Sequence, residues 1–322
     1  MEARIREILD QNTTKTSKIR KLILLGLTRT QIAGLVTNGN YGFVQNVYTK
    51  MRAEGLLGNI TQAIIAPTAA SPFMTPRIFD KQFGVEFEAY NVRMETLRDN
   101  LRAAGINCEI AGYTHRTTRY WKIVTDGSLS GTNTFELVSP ILQGEAGLDE
   151  MMKVCRVLKQ CGAKVNASCG THVHINAQNF TLEQWKRTYI NYSKLEMVID
   201  KFMPNSRRGN TNSYCKGFSN IRNFESMVNT ATNLDAIGSI LNYDRYFKIN
   251  PNSYSRHNTC EFRQHAGTTD YIKISSWIRF LSNLVDYSEN HTITDSTLEG
   301  LKAFNNIELV DFFKYRTLDL AA

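Results

Sequence analysis

The strongest constraint in this sequence is one device used three times: a short apolar run in which every second residue is ionisable. In Gly84-Val-Glu-Phe-Glu88, the acids Glu86 and Glu88 alternate with Val85 and Phe87. In Ala167-Ser-Cys-Gly-Thr-His-Val-His-Ile-Asn176, His172 and His174 alternate with Val173 and Ile175. In Cys260-Glu-Phe-Arg263, Glu261 and Arg263 flank Phe262. Residues i and i+2 of a β-strand share a face. Each run, folded as a strand, therefore turns apolar side chains to a core and a polar pair to the other side. Three such strands read as three walls of one charged pocket.

Glu136, in Thr134-Phe-Glu-Leu-Val-Ser-Pro140, is a further isolated acid in an apolar strand. Two ionised carboxylates on one strand face repel, and burying them unpaired is costly. A divalent cation removes both problems. Same-face side chains stem from Cα atoms about 7 Å apart, and paired catalytic metals sit about 3.5–4 Å apart, so Glu86 and Glu88 can serve one metal each. A solvated strand face fits Val85 and Phe87 equally well, and a histidine taken singly is commonly a hydrogen-bonded core residue. Four glutamates with one or two histidines form an oxygen-rich set, which suits Mg²⁺ or Mn²⁺ better than zinc. Arg263, Arg245 and Lys248 supply cations for phosphate oxygens; a solvated or ion-paired role is the alternative for each. Carboxylate-held metals plus arginines describe a nucleotide triphosphate site, although neither GxxxxGKS/T nor GxGxxG occurs.

Around these runs the chain alternates strands and helices. Strands are expected at Phe83–Tyr90, Tyr120–Thr125 and Phe135–Val138, the last two flanking an Asp126-Gly127 turn. A helix with a Met94, Leu97, Leu101, Ala104 stripe ends at Gly105, and another runs from Leu148 to Gln160. Thr181 and Gln184 form a capping box that opens a long helix ending by Pro204. Strands return near Tyr246–Asn250 and Thr259–Arg263, and the last fifty residues read as mostly helical. The class is α+β with a largely antiparallel sheet flanked by helices.

The net charge of +8 is uneven: residues 1–58 hold nine Lys/Arg against four Asp/Glu, so +5 of it falls in under a fifth of the chain. This stretch reads as a small all-α domain over residues 1–57, with Gly26 closing one segment and a Thr28–Gln31 capping box opening the next. Asn38-Gly-Asn40 makes a turn, and a helix follows from Tyr41 to Glu54. The order resembles a helix-turn-helix, with Tyr41, Asn46, Lys50 and Arg52 on the reading helix and nucleic acid as the acidic partner. A three-helix docking module is the alternative. Residues 58–78 carry Pro67, Pro72 and Pro76, half of the six prolines, and read as a linker to a domain over 79–322. No apolar run reaches the roughly 20 residues that span a bilayer, so no membrane partner is expected. The N-terminus lacks a secretory h-region. Six cysteines without a CxxC pair read as reduced thiols, as in the cytosol.

Gly84-Val-Glu-Phe-Glu88, Trp121-Lys-Ile-Val-Thr-Asp-Gly-Ser-Leu129 and Glu136-Leu-Val-Ser-Pro140 closely resemble the amidoligase family, in order. The match continues through Cys161-Gly-Ala-Lys-Val-Asn-Ala-Ser-Cys-Gly-Thr-His-Val-His174 and Thr259-Cys-Glu-Phe-Arg-Gln-His-Ala-Gly-Thr268, with Trp277 in the helix beyond. It covers roughly residues 79–285. These proteins belong to the carboxylate–amine ligases, with glutamine synthetase and glutamate–cysteine ligase. The resemblance implies a curved antiparallel sheet forming a funnel, with ATP entering one end and the carboxylate the other. It implies that Glu86 and Glu88 bind different metals, with Glu136 joining Glu88, and His172 and Glu261 joining Glu86. It makes Arg263 the catalytic group on the transferring phosphate and Arg245 a second phosphate contact. His174 is implied to touch phosphate or substrate, and Asp126 and Ser128 to touch substrate.

The implied reaction is ATP-dependent: an acyl phosphate forms, and a neutral amine displaces phosphate to give an amide or isopeptide bond. Substrates range from amino acids and polyamines to peptides and protein side chains. The resemblance also implies the cytoplasm of a bacterium or phage-infected host. Two other classes stay open: a zinc hydrolase built on His172, His174 and one glutamate, and a non-catalytic DNA-associated or structural protein.

Overall fold

The computed structural model describes residues 2–25, 27, 29–54, 56, 79–112, 114 and 116–321. The described residues divide into two compact units, 2–56 with 311–321 and 79–310. The Pro-rich stretch 58–78, Gly26 and Thr28 lie outside the described residues.

The larger unit is built on one eight-stranded sheet. In chain order it contains β1 (Gln82–Ala89), α5 (Met94–Ala103), β2 (Cys108–Ile110), β3 (Trp121–Val124), β4 (Phe135–Val138), β5 (Leu142–Gln143), α6 (Gly144–Gln160) and β6 (Gly170–Asn176). There follow α7 (Leu182–Lys201), α8 (Phe224–Thr230), α9 (Leu234–Ile240), β7 (Ile249–Asn250), α10 (Ser253–His257), β8 (Thr259–Ala266) and α11 (Tyr271–Tyr287). The strand order is β2-β3-β4-β1-β6-β8-β7, with β5 also on β1. All neighbours are antiparallel except the edge pair β2–β3. The fold is thus α+β with a mostly antiparallel open sheet, as the alternating pattern implies.

The expected alternation decides the faces. Phe83, Val85, Phe87, Trp121, Ile123, Leu137, Val173, Ile175 and Phe262 are all buried. Helices cover this apolar face: Tyr192 of α7 packs its ring 5.5 Å from Phe262, and the Trp121 indole donates to Glu150 of α6 at 2.7 Å. Thr181 caps α7 by accepting from the Gln184 amide at 3.1 Å, so that capping box forms its backbone half. The other face carries the charged pairs.

One irregularity matters. In the β6–β8 pairing, Thr171 faces His265 whereas Val173 faces Phe262. Three steps of β8 thus span two of β6, a β-bulge opposite His172 that re-aims the β8 side chains on one side of it. Arg263 stays on the Glu261 face, but His265 turns away and sits 5.8 Å from the Trp277 ring of α11.

The smaller unit contains α1 (Glu2–Asp10), α2 (Lys15–Leu24), α3 (Arg29–Val36) and α4 (Tyr41–Ala53). Its core is Ile19, Leu22, Ile23, Ile32, Val44, Val47 and Met51. The α3–α4 turn uses Asn38 and Gly39 at φ 51 and 87, and Asn40 caps α4 by accepting from the Phe43 amide. The chain's last helix, α12 (Ile307–Ala321), brings Tyr315 to this unit, where its hydroxyl meets Ser17 Oγ at 2.5 Å. Sequence reasoning kept 79–322 together; contacts instead group 311–321 with the N-terminal helices. A terminal amphipathic helix carries no sequence mark of which core it joins. No helix of the described residues is long and apolar enough to cross a membrane.

Candidate active site

The polar face of β1, β3, β4, β6 and β8 lines a cavity of about 360 Å³, a size that suits a small ligand. Cross-strand register brings the charged pairs together. Glu86 lies opposite His172, Glu88 opposite Glu136, and His174 opposite Glu261. The Glu86 carboxylate accepts from His172 Nδ1 at 2.8 Å and stands 3.4 Å from His174 Nε2. His172 Nε2 is 3.4 Å from Glu88, whose other oxygen accepts from the Gly170 amide. Glu261 accepts from Arg263 Nη1 at 2.5 Å and from Asn250 Nδ2 at 2.6 Å.

Two ligand sets follow, Glu86 with Glu136 and His172, and Glu86 with His174 and Glu261. This grouping differs from the one the family resemblance implies. Glu136 lies near Glu86 as well as its register partner Glu88, and His174 lies near enough to Glu86 and Glu261 to share a cation with them. Glu86 is common to both sets, so two cations there would share it.

The electrostatics fit such cations. Burial pushes the Glu136 carboxyl well above the usual range, and the nearby charge of Glu86 adds to the effect. Burial also acts to raise Glu86, but the hydrogen bond from His172 and the adjacent His174 outweigh it and hold that group well below. The pair thus favours the charge on Glu86 and a proton on Glu136. Burial works against charge on His174, yet Glu261 and Glu86 overcome it and raise its pKa. Its Nε2 is buried without a hydrogen-bond partner. A proton held between two acids and an orphaned imidazole nitrogen are what a divalent cation would replace and satisfy. The donors, three carboxylates and two imidazoles, suit Mg²⁺ or Mn²⁺.

Arg263 reaches this cluster from β8. Burial lowers its pKa, but Glu261 more than offsets that and raises it, so the guanidinium is a permanent charge. The Tyr246 ring lies 5.8 Å from it and 4.9 Å from the guanidinium of Arg245, and all three side chains line the cavity. Asp126 and Ser128 line it too, joined to each other by bonds of 2.7 Å from the Ser128 amide and hydroxyl to Asp126 Oδ1.

Lys248 is the exception. Its side chain is fully buried away from the cavity lining, with Nζ 3.0 Å from Asp200 and 3.4 Å from Glu196 of α7. Lys248 shares parity with Asn250, which does face Glu261, but β7 is only two residues long and the alternation does not reach back to 248. It is a structural ion pair rather than a phosphate ligand.

Among the cavity residues that sequence reasoning passed over are Lys122 and Arg207. Lys122 lies across from Val138, itself paired with Glu86; its Nζ donates to the Thr114 and Arg116 carbonyls at 2.8 Å. Burial lowers its pKa, against the pull of Glu86 and Glu136. The same period-two rule that found Glu86 marks Lys122. Arg207 also lines the cavity, from the single 3₁₀ turn Asn205–Arg207, too short for any periodicity to mark it.

The family model described as "putative amidoligase enzyme" matches residues 80–285. The chain belongs to the amidoligase family, whose description is that of a ligase. No curated protein matches it.

Proposed function

We propose that this protein is an ATP-dependent carboxylate–amine ligase, related to the glutamine synthetase-like enzymes. The observation that carries the reading is the pair of carboxylate–histidine sets sharing Glu86, with Arg263 bonded to Glu261 of the second set. Mg²⁺ or Mn²⁺ held by Glu86, Glu88, Glu136, His172 and Glu261, with His174 at the second set, would neutralise charge on the ATP phosphates.

A carboxylate is a poor electrophile because oxide is a poor leaving group. Transfer of the ATP γ-phosphoryl group to the carboxylate oxygen gives an acyl phosphate and ADP. A neutral amine then attacks the carbonyl carbon, phosphate leaves, and the amine loses a proton as the amide or isopeptide bond forms. Arg263 stabilises the charge on the transferring group, and Arg245 holds phosphate oxygens beside it. Asp126 and Ser128, in the β3–β4 connection, contact substrate. The carboxylate and amine come from amino acids, polyamines, peptides or protein side chains, in the cytoplasm of a bacterium or phage-infected host. The acid-rich donor set and the arginines argue against a zinc hydrolase.

The N-terminal helices support a nucleic-acid partner. Val44, Val47 and Met51 turn inward from α4, which leaves Asn46, Lys50 and Arg52 exposed on a helix that follows a tight turn.

ADP release, measured with pooled carboxylates and amines, should require Mg²⁺ or Mn²⁺. Arg263→Ala should lower kcat by about 10²-fold or more while magnesium still binds. If the folded variant turns over normally, Arg263 has no phosphate role; if wild type releases no ADP with any pool, the ligase reading fails.

A further inference from the structure

Arg207 is a buried cation with no direct ion pair among the described residues. Its side chain is 3% exposed, and among the described residues no carboxylate lies within ion-pairing distance of it. Its Nε has no hydrogen-bond partner. Nη2 reaches the Ser168 carbonyl only at 3.5 Å, and the Cys215 thiol is a further, uncharged contact. An uncompensated buried charge is among the costliest features a fold can carry.

The chain nevertheless holds this guanidinium in place. The Arg207 amide donates to the Pro204 carbonyl at 2.8 Å, and its carbonyl accepts from Gln264 Nε2 at 3.2 Å. That glutamine also binds Asp200 at 2.6 Å, the partner of Lys248. The Lys248 ion pair thus anchors the backbone that presents Arg207. In front, room is made by Gly170: a Cβ there would lie 3.0 Å from Arg207 Nη2, 3.1 Å from Nη1 and 3.0 Å from His172 Nε2. The guanidinium lies on bare strand backbone, on the Nε2 side of His172. Arg263 Nη1 stands 3.4 Å from Nδ1 of the same ring. Two guanidinium groups therefore flank one imidazole, and both line the cavity.

We propose that Arg207 is a further anion-binding residue of this cavity, gripping the nucleotide's polyphosphate at the Glu88–Gly170 end, across His172 from Arg263. The proposal deepens the ligase reading and rests on it. A planar guanidinium offers paired donors to phosphate oxygens, and an arriving anion removes the cost of the unpaired charge. The same logic sets a stability signature: a site that stores an unpaired charge is less stable empty than its neutralised variant.

The test is calorimetric titration of magnesium tripolyphosphate into the full-length protein, with Arg207→Gln and Arg207→Lys beside wild type. Arg207→Gln should bind the probe at least about tenfold more weakly, as for loss of one charged hydrogen-bonding partner, and should melt no lower than wild type without the probe. Arg207→Lys, a point charge without the fork, should fall between the two. Equal affinity in folded Arg207→Gln, or no binding by wild type, overturns the proposal. If Arg207→Gln does not fold, Arg207→Lys decides: affinity equal to wild type overturns it. Probe binding needs no turnover, so it stays distinct from failure of the ligase reading, which is read as absence of ADP release with every substrate pool.

Discussion

Glu136 shows what single residues contribute at this site. Its carboxyl is raised because burial and the Glu86 charge both oppose ionisation. A group whose folded pKa lies above its unfolded value, about 4.3 for glutamate, adds stability that is full below the unfolded value. That stability is lost as pH rises through the folded value. Without divalent cations the protein should therefore lose stability from mildly acidic pH upward, as the shared proton leaves. Magnesium should restore it by replacing that proton. Glu136→Gln should flatten the metal-free profile, since an amide cannot ionise, and should reduce the magnesium-induced rise in Tm, the second set being left intact. Melting curves from pH 5 to 8, with and without magnesium, check this; a metal-free profile in Glu136→Gln as steep as in wild type contradicts it. The acids and histidines of this cluster were legible in the sequence because each occupies alternate positions of an apolar strand. Lys248 satisfied the same pattern and misled, because alternation fails where the strand stops. Arg207 had no pattern to satisfy.

Elements were legible where local chemistry sets their ends. Thr181 accepts from Gln184 and starts α7, and Gly105 and Gly162, at φ 79 and 76, follow the helices they were expected to end. Pairing across the chain was not legible: the bulge that keeps Arg263 beside Glu261 while turning His265 away arises between β6 and β8, which are far apart in sequence. The destination of α12 was hidden for the same reason. Phe313 and Tyr315 are buried, the Tyr315 hydroxyl bonds Asp319 at 2.8 Å as well as Ser17, and Lys21 Nζ lies 4.9 Å from its ring. Truncating a buried aromatic costs about 3–5 kcal/mol, a large share of what a few short helices can hold. Tyr315→Ala should therefore speed amide hydrogen exchange in α2 and α4 by two orders of magnitude or more, about 1.4 kcal/mol per decade. Unchanged protection in those helices would show that α12 does not contribute to their stability.

At the scale of the molecule, the proposed function assigns two jobs to two units of different charge. Residues 1–58 carry +5, and the exposed side of α4 carries Lys50 and Arg52. Lys50 stands 3.9 Å from Glu54, an exposed i,i+4 contact that is weak in water and does not compete with a phosphate. The acid cluster of the larger unit, by contrast, would repel a polyanion unless cations fill it. Nucleic acid should therefore engage the helical unit, by contacts that release counterions. For duplex DNA the logarithm of affinity should then fall linearly with the logarithm of salt, with a slope of about −0.9 for each phosphate neutralised. Lys50→Gln and Arg52→Gln should each weaken binding across sequences and reduce that slope by about one. Neither lies in the cavity, so both variants should release ADP as wild type does, and Arg263→Ala should bind DNA as wild type does. Fluorescence anisotropy of the full-length protein on a labelled duplex from 50 to about 200 mM salt measures the slope. Affinity independent of salt, or a slope unaltered in both variants, would assign the charge of this unit to a protein partner instead, as a docking module requires.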